Sequence, residues 1–129
     1  MLTPVQLISS GSSFEAVAGY SRAVVDEFYI HVAGTTGFDY TRMSIADDAV
    51  AQTHQAFANL AAALAQAGAT LAEVVRVRYY LTDGSLFESL APVFGQYFGQ
   101  VRPAATAIVC GLIDPRMKIE IEVTARRPV

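Results

Sequence analysis

The sequence predicts an α+β fold: a single sheet with two helices packed on one of its faces. Three observations lead there. Apolar segments with strand character and helical segments follow one another in the order strands, helix, strand, helix, strands. Each helical segment carries one apolar face, so both can lie on the same side of one sheet. The strands between and after them alternate apolar with polar residues, which leaves the second side of the sheet polar. The 129 residues suit one domain, residues 1–129, with no linker, repeat or low-complexity tract to divide it.

The elements follow in order. The stretch "SSGSSFEAVAGYSRAVV" begins with turn formers and becomes apolar. "EFYIHVAGTTG" reads as a strand ending at Gly34, with Gly37 closing the loop after it. "IADDAVAQTHQAFANLAAALAQAGA" is a helix: Asp47 or Asp48 caps its start and Gly68 stops it. Val50, Phe57, Leu60, Ala61 and Leu64 share one of its faces, and His54 lies on or beside that stripe. In "EVVRVRYYLTD", Val75, Val77, Tyr79 and Leu81 form one strand face and Arg76, Arg78 and Tyr80 the other. "SLFESLAPVFGQYFG" is the second helix by Phe87, Leu90, Phe94 and Phe98, and Pro92 implies a late start near Leu90 or a distortion. "ATAIVCGL", the turn "IDPR" and "MKIEIEVTAR" are expected to close the fold as a hairpin. Thr106, Ile108 and Cys110 are placed on its helix side, where Cys110 is inert core.

Composition narrows the function. Hydrophobic residues make up 53% of the chain and charged residues only 16%, against an average near 25%. A short chain exposes much of its surface, so this shortage of charge points to self-association through the polar sheet side. That side carries His31, Arg76, Arg78, Tyr80, Glu120 and Glu122. With a net charge of −3 and scattered basic residues, no field exists for a nucleic acid or an anionic membrane. One cysteine, no charged leader and no long apolar span lead to the expectation of a soluble, cytoplasmic protein. Two separated histidines and one cysteine form no metal constellation, and Gly34 and Gly37 lack the lysine and helix of a phosphate loop, so no cofactor or metal is expected.

Several segments together, "AGYSRAVV", "VAGTTG", "QAFANLAAALAQAGATLAEVVRVRYYLTD" and "RPAATAIVCGLIDPRMKIEIEVTA", resemble the YjgF/RidA (Rid) family from about residue 17 to the C-terminus. The resemblance implies a chorismate-mutase-like six-stranded mixed sheet with two helices on one face. It also implies a homotrimer with ligand clefts between subunits. Members that hydrolyse reactive imines and enamines to carbonyl compounds with ammonia release hold the substrate carboxylate with an Arg on the penultimate strand. In Pro103-Ala104-Ala105-Thr106, Ala105 stands where that Arg would be, and Arg102 lies outside the register. The Ser that often precedes the strand-end glycine is here Ala33, and a helix Asn is replaced near Ala91, whereas Tyr20 and Glu120 are retained. A bidentate pair to a carboxylate contributes roughly 1.5–3 kcal/mol, so its loss weakens a carboxylate ligand about ten- to a hundredfold. The chain therefore reads as a subgroup without the family's anion anchor.

The candidate residues each have a functional and a structural reading. Glu120 either orients water for attack on an imine carbon, as the resemblance implies, or pairs across strands with Arg76 or Arg78. Arg78 either supplies the anion-binding charge that Ala105 lacks or pairs with Glu120 or Glu122. His31 is an acid–base group near neutral pH or a hydrogen-bonded strand residue. Tyr20 is a cleft wall or a buried, satisfied tyrosine. Backbone groups at Gly34, Cys110 and Gly111 are candidate ligand contacts. The expectation is thus a homotrimer acting on a small, anionic metabolite, with Glu120 as the catalytic residue. The alternative is a non-catalytic, ligand-binding or regulatory trimer on the same scaffold. A ribonuclease is disfavoured by the pI of 5.2 and the missing basic groove.

Overall fold

The computed structural model describes residues 4–128. A six-stranded sheet is built from β1 (Gln6–Ile8), β2 (Ala23–Val25), β3 (Tyr29–Thr36), β6 (Val74–Leu81), β7 (Ala104–Val109) and β8 (Ile119–Arg126). A small hairpin of β4 (Phe38–Asp39) and β5 (Ser44–Ile45) stands apart. The helices are α1 (Ser13–Ala18), α2 (Ala49–Gln66) and α3 (Leu86–Phe98). The sheet order is β1-β2-β3-β8-β6-β7, and only the β6–β7 pair is parallel. This is the α+β, mixed six-stranded sheet with two main helices that the sequence predicts.

Local chemistry accounts for the helices. Asp48 accepts a hydrogen bond from the Ala51 N–H at 2.9 Å and caps α2, while Gly68, at φ +76°, ends it. The buried stripe of α2 is Gln52, Thr53, Ala56, Phe57, Leu60, Ala63 and Leu64, so Val50 and Ala61 lie at its border rather than within it. It packs with Leu90, Phe94 and Phe98 of α3 over Ile30, Val77, Ile121 and Val123. Pro92 neither delays nor breaks α3, which runs continuously from Leu86. The proline removes only the N–H that the Glu88 carbonyl would have accepted. A short helix, α1, appears where turn formers were read: the Ser12 hydroxyl caps it and Gly19, at φ +75°, closes it.

Three sequence expectations are corrected. β7 and β8 do not form a hairpin: β7 pairs with β6 and β8 inserts between β3 and β6. The connection from 110 to 118 is longer than the two to five residues of a hairpin loop, and it passes over β6. Second, Val75 is exposed and Val74 takes its place in the core, because a bulge between Val74 and Arg76 shifts the alternation. Third, Thr106 and Ile108 lie opposite Arg78 and Tyr80 on the open side, whereas Ala105 and Ala107 pair with Val77 and Tyr79 on the helix side. The parallel register decides this, since paired residues share a face and a one-residue offset exchanges the faces. Cys110 lies past the end of β7, half-buried rather than in the core, with its N–H donating to the Leu81 carbonyl at 2.9 Å.

Candidate functional site

The second bulge builds the site. Between Val32 and Thr35, Ala33 and Gly34 of β3 face the single residue Glu122 of β8, and the strand bends there. Next along β8, Glu120 pairs with Thr36 on one side and Tyr80 on the other. The Glu120 carboxylate lies directly against Gly34: a Cβ at position 34 would sit 2.7 Å from Oε2. Only glycine leaves room for the carboxylate there.

Glu120 and Gly34 line a hollow of about 650 Å³ together with Tyr20, Arg22 and Tyr40. Its walls are otherwise largely apolar, with Phe14, Phe38, Met43 and Ile113, apart from Asp114 and Arg116, which pair with each other at 2.8 Å. The segment that closes one side, residues 113–117, is pinned by the buried Gln52 of α2. The Gln52 Nε2 donates to the Ala46 and Arg116 carbonyls at 2.7 and 2.8 Å, and Oε1 accepts from the Lys118 N–H at 2.9 Å. Burial raises the Glu120 carboxyl above its ordinary value and Glu122 adds to this, while the Arg22 guanidinium opposes both. Burial also raises the Tyr20 hydroxyl, against the pull of Arg22.

Arg22 is the residue that sequence reading missed. It is 4% exposed; Nη2 donates to the Gly34 carbonyl at 2.9 Å and Nη1 to the Tyr40 hydroxyl at 3.2 Å. Its Cζ stands 5.8 Å from the centre of the Tyr20 ring. The available signal was a lone arginine inside an otherwise apolar run of a charge-poor chain.

Within one chain, the other expected site residues lie elsewhere. Arg78 Nη1 is 3.6 Å from Glu122 Oε1, and Glu122 also accepts the Tyr80 hydroxyl proton. Arg78 does not line the hollow. His31 Nε2 is 2.7 Å from Asp26 Oδ2 on the exposed sheet side. That hydrogen bond, with backbone donors from Tyr29 and Phe28, brings the Asp26 carboxyl down to about 2. Cys110 and the exposed Gly111 are outside the hollow as well. Ala105 lines a different hollow of about 690 Å³, between α3 and β7, with Ala91, Phe94 and Arg102. His54 hydrogen-bonds the Tyr97 hydroxyl at 2.6 Å between the helices, a packing role.

A mixed six-stranded sheet backed by two main helices is the architecture of a known class of small proteins, and comparison gives the class its name. The family model described as Endoribonuclease L-PSP matches residues 10–127. A RutC family protein of Pyrococcus abyssi is 31% identical over 93% of this chain and 95% of its own length. Among solved structures, Rv2704 from Mycobacterium tuberculosis, a member of the YjgF/YER057c/UK114 family, superposes with a TM-score of 0.87 at 44% identity. That match covers 95% of this chain and 99% of the other. RidA from the Antarctic bacterium Psychrobacter sp. PAMC 21119 gives 0.84 at 31% identity, covering 94% and 98%. The chain belongs to the YjgF/RidA family.

Proposed function

We propose that this protein hydrolyses reactive imines or enamines to carbonyl compounds with release of ammonia. The reaction takes place in the Glu120 hollow of a homotrimer whose neighbouring copies close the hollow. Water adds to the imine carbon while Glu120 takes one of its protons, forming a C–O bond. The C=N π bond opens as Glu120 returns that proton to nitrogen, giving a carbinolamine. Glu120 then takes the carbinolamine hydroxyl proton and delivers it to nitrogen, the C–N bond breaks, and ammonia leaves as the carbonyl forms. Tyr20 lines the ligand and the Gly34 backbone sets the position of Glu120. The observation that carries this reading is the half-buried carboxylate itself. Its affinity for a proton is raised by burial and it lies against Gly34 in a hollow of metabolite size. Self-association is supported by the exposed Phe28, Ile108, Val109 and Ile113, the last at 97% exposure.

The test is decay of 2-iminopropanoate and related imines, generated in situ, with and without protein. Wild type is expected to accelerate decay, and Glu120→Gln to lose about a hundredfold or more of that acceleration. No acceleration by the folded protein across several imines overturns hydrolysis.

A second reading, a non-catalytic ligand-binding or regulatory trimer, is favoured by one observation. Ala105 brings no charge to its hollow, so the family's usual carboxylate contact is missing. An endoribonuclease activity, as in the family description, is disfavoured by the net charge of −3.

A further inference from the structure

Arg22 is a buried cation with unfinished bonding. A guanidinium has five N–H donors, and the chain supplies acceptors for two of them, at Gly34 and Tyr40. Its Nε is buried without any hydrogen-bond partner. Among the described residues no carboxylate lies within ion-pair distance of it. Glu120 is the nearest counter-charge and acts on Arg22 from beyond ion-pair distance. The cost of taking this arginine out of water is therefore only partly offset within the chain, and a bound anion would offset the rest. Arg22 borders the same hollow as Glu120.

We propose that Arg22 is the anion anchor of this hollow, and that the ligand is a small monocarboxylate with a compact apolar body. The planar fork of a guanidinium matches a carboxylate. The apolar body lies against Phe14, Phe38 and Met43, which line the hollow around it. The limit to a single charge comes from Glu120, whose own carboxylate would repel a dianion such as a phosphate monoester. The charge absent at Ala105 is thus supplied from the bend just before β2 and in a different hollow. This assignment rests on the Glu120 hollow being the ligand site, and the probe used below is not a substrate, so the two ideas fail separately.

The experiment is an NMR titration of the full-length protein with benzoate, with its uncharged counterpart benzamide, and with phenyl phosphate. Wild type is expected to bind benzoate about ten- to a hundredfold more tightly than benzamide. It is also expected to bind benzoate more tightly than phenyl phosphate, with shifts at Gly34 and at the Arg22 Nε–H. Arg22→Gln is expected to bring the benzoate-to-benzamide ratio close to one. A ratio near one in wild type overturns the proposal. So does an unchanged ratio in Arg22→Gln, or a ratio lost instead in Arg116→Ala, the other arginine that lines the hollow, or in Arg78→Ala. Phenyl phosphate binding as tightly as benzoate overturns the limit to one charge. If Arg22→Gln shows no cooperative thermal transition, the wild-type Arg22 Nε–H resonance decides. Its shift at benzoate saturation supports the anchor and its constancy overturns it. Imine decay without acceleration, alongside an intact benzoate preference, would overturn the hydrolytic reading and leave Arg22 in place.

Discussion

Glu120 owes its position to a neighbour with no side chain and its proton affinity to partial burial. Because the raised carboxyl binds a proton more tightly in the folded chain than in the unfolded one, the folded state holds more protons through the carboxylate range. Stability from this group therefore falls as pH rises from the ordinary glutamate value through the raised one. Glu120→Gln keeps the neutral shape and removes the ionisation. The variant is expected to gain on wild type in chemical-denaturation stability as pH climbs through that window, and to match it more closely at pH 4. A difference that is flat with pH would mean that the folded environment does not disfavour the charge. Arg78 shows the opposite situation. Its pairing with Glu122 is about half-exposed, and such pairs contribute little, about 0–1 kcal/mol. It belongs to the open face of the sheet and its polar ladder.

At the level of elements, the end of β3 and the start of α2 meet where two glycines do different jobs. A Cβ at Gly37 would lie 2.6 Å from both the Cα and the carbonyl oxygen of Gln52, which are helix backbone and cannot move aside. A Cβ at Gly34 would meet only the end of the Glu120 side chain, which can swing away. Gly37→Ala is therefore expected to lower unfolding free energy by about 1–3 kcal/mol, read from denaturant melts. Gly34→Ala is expected to melt close to wild type while losing response to ligand. Equal losses of stability in the two variants would contradict this division. Much of the element level was legible in the sequence: α2 from period and caps, α3 from period, β6 and β8 from alternation. The bulges were not, because an extra residue in one strand is defined only against its partner. That is why Val75 exchanged places with Val74, and why the bend that seats Glu120 on Gly34 went unseen. Arg22 escaped notice for a related reason, since burial of a charged side chain depends on what folds over it.

The whole molecule leaves large apolar side chains in water on both sheet edges and around the hollow. Ile108 and Val109 lie on the β7 edge and Ile113 on the segment following it. With 16% charged residues, the chain has little with which to keep such a surface apart from its copies. Sedimentation equilibrium is expected to give three times the chain mass, and Ile108→Glu to shift the distribution toward monomer. A wild-type monomer at micromolar concentration would remove the inter-subunit part of the proposed function. By itself the sequence determined the α+β class, the period of α2 and α3 with the caps of α2, and the polarity of the open sheet side. Each of these is written in local period, in cap chemistry or in the order of motifs. Only the tertiary structure decided that β8 lies between β3 and β6, that Ala105 and Arg78 face opposite sides, and that Arg22 is buried beside Glu120. Those outcomes depend on strand register and long-range packing, where one residue of offset exchanges the faces and distant segments choose which charge loses its water.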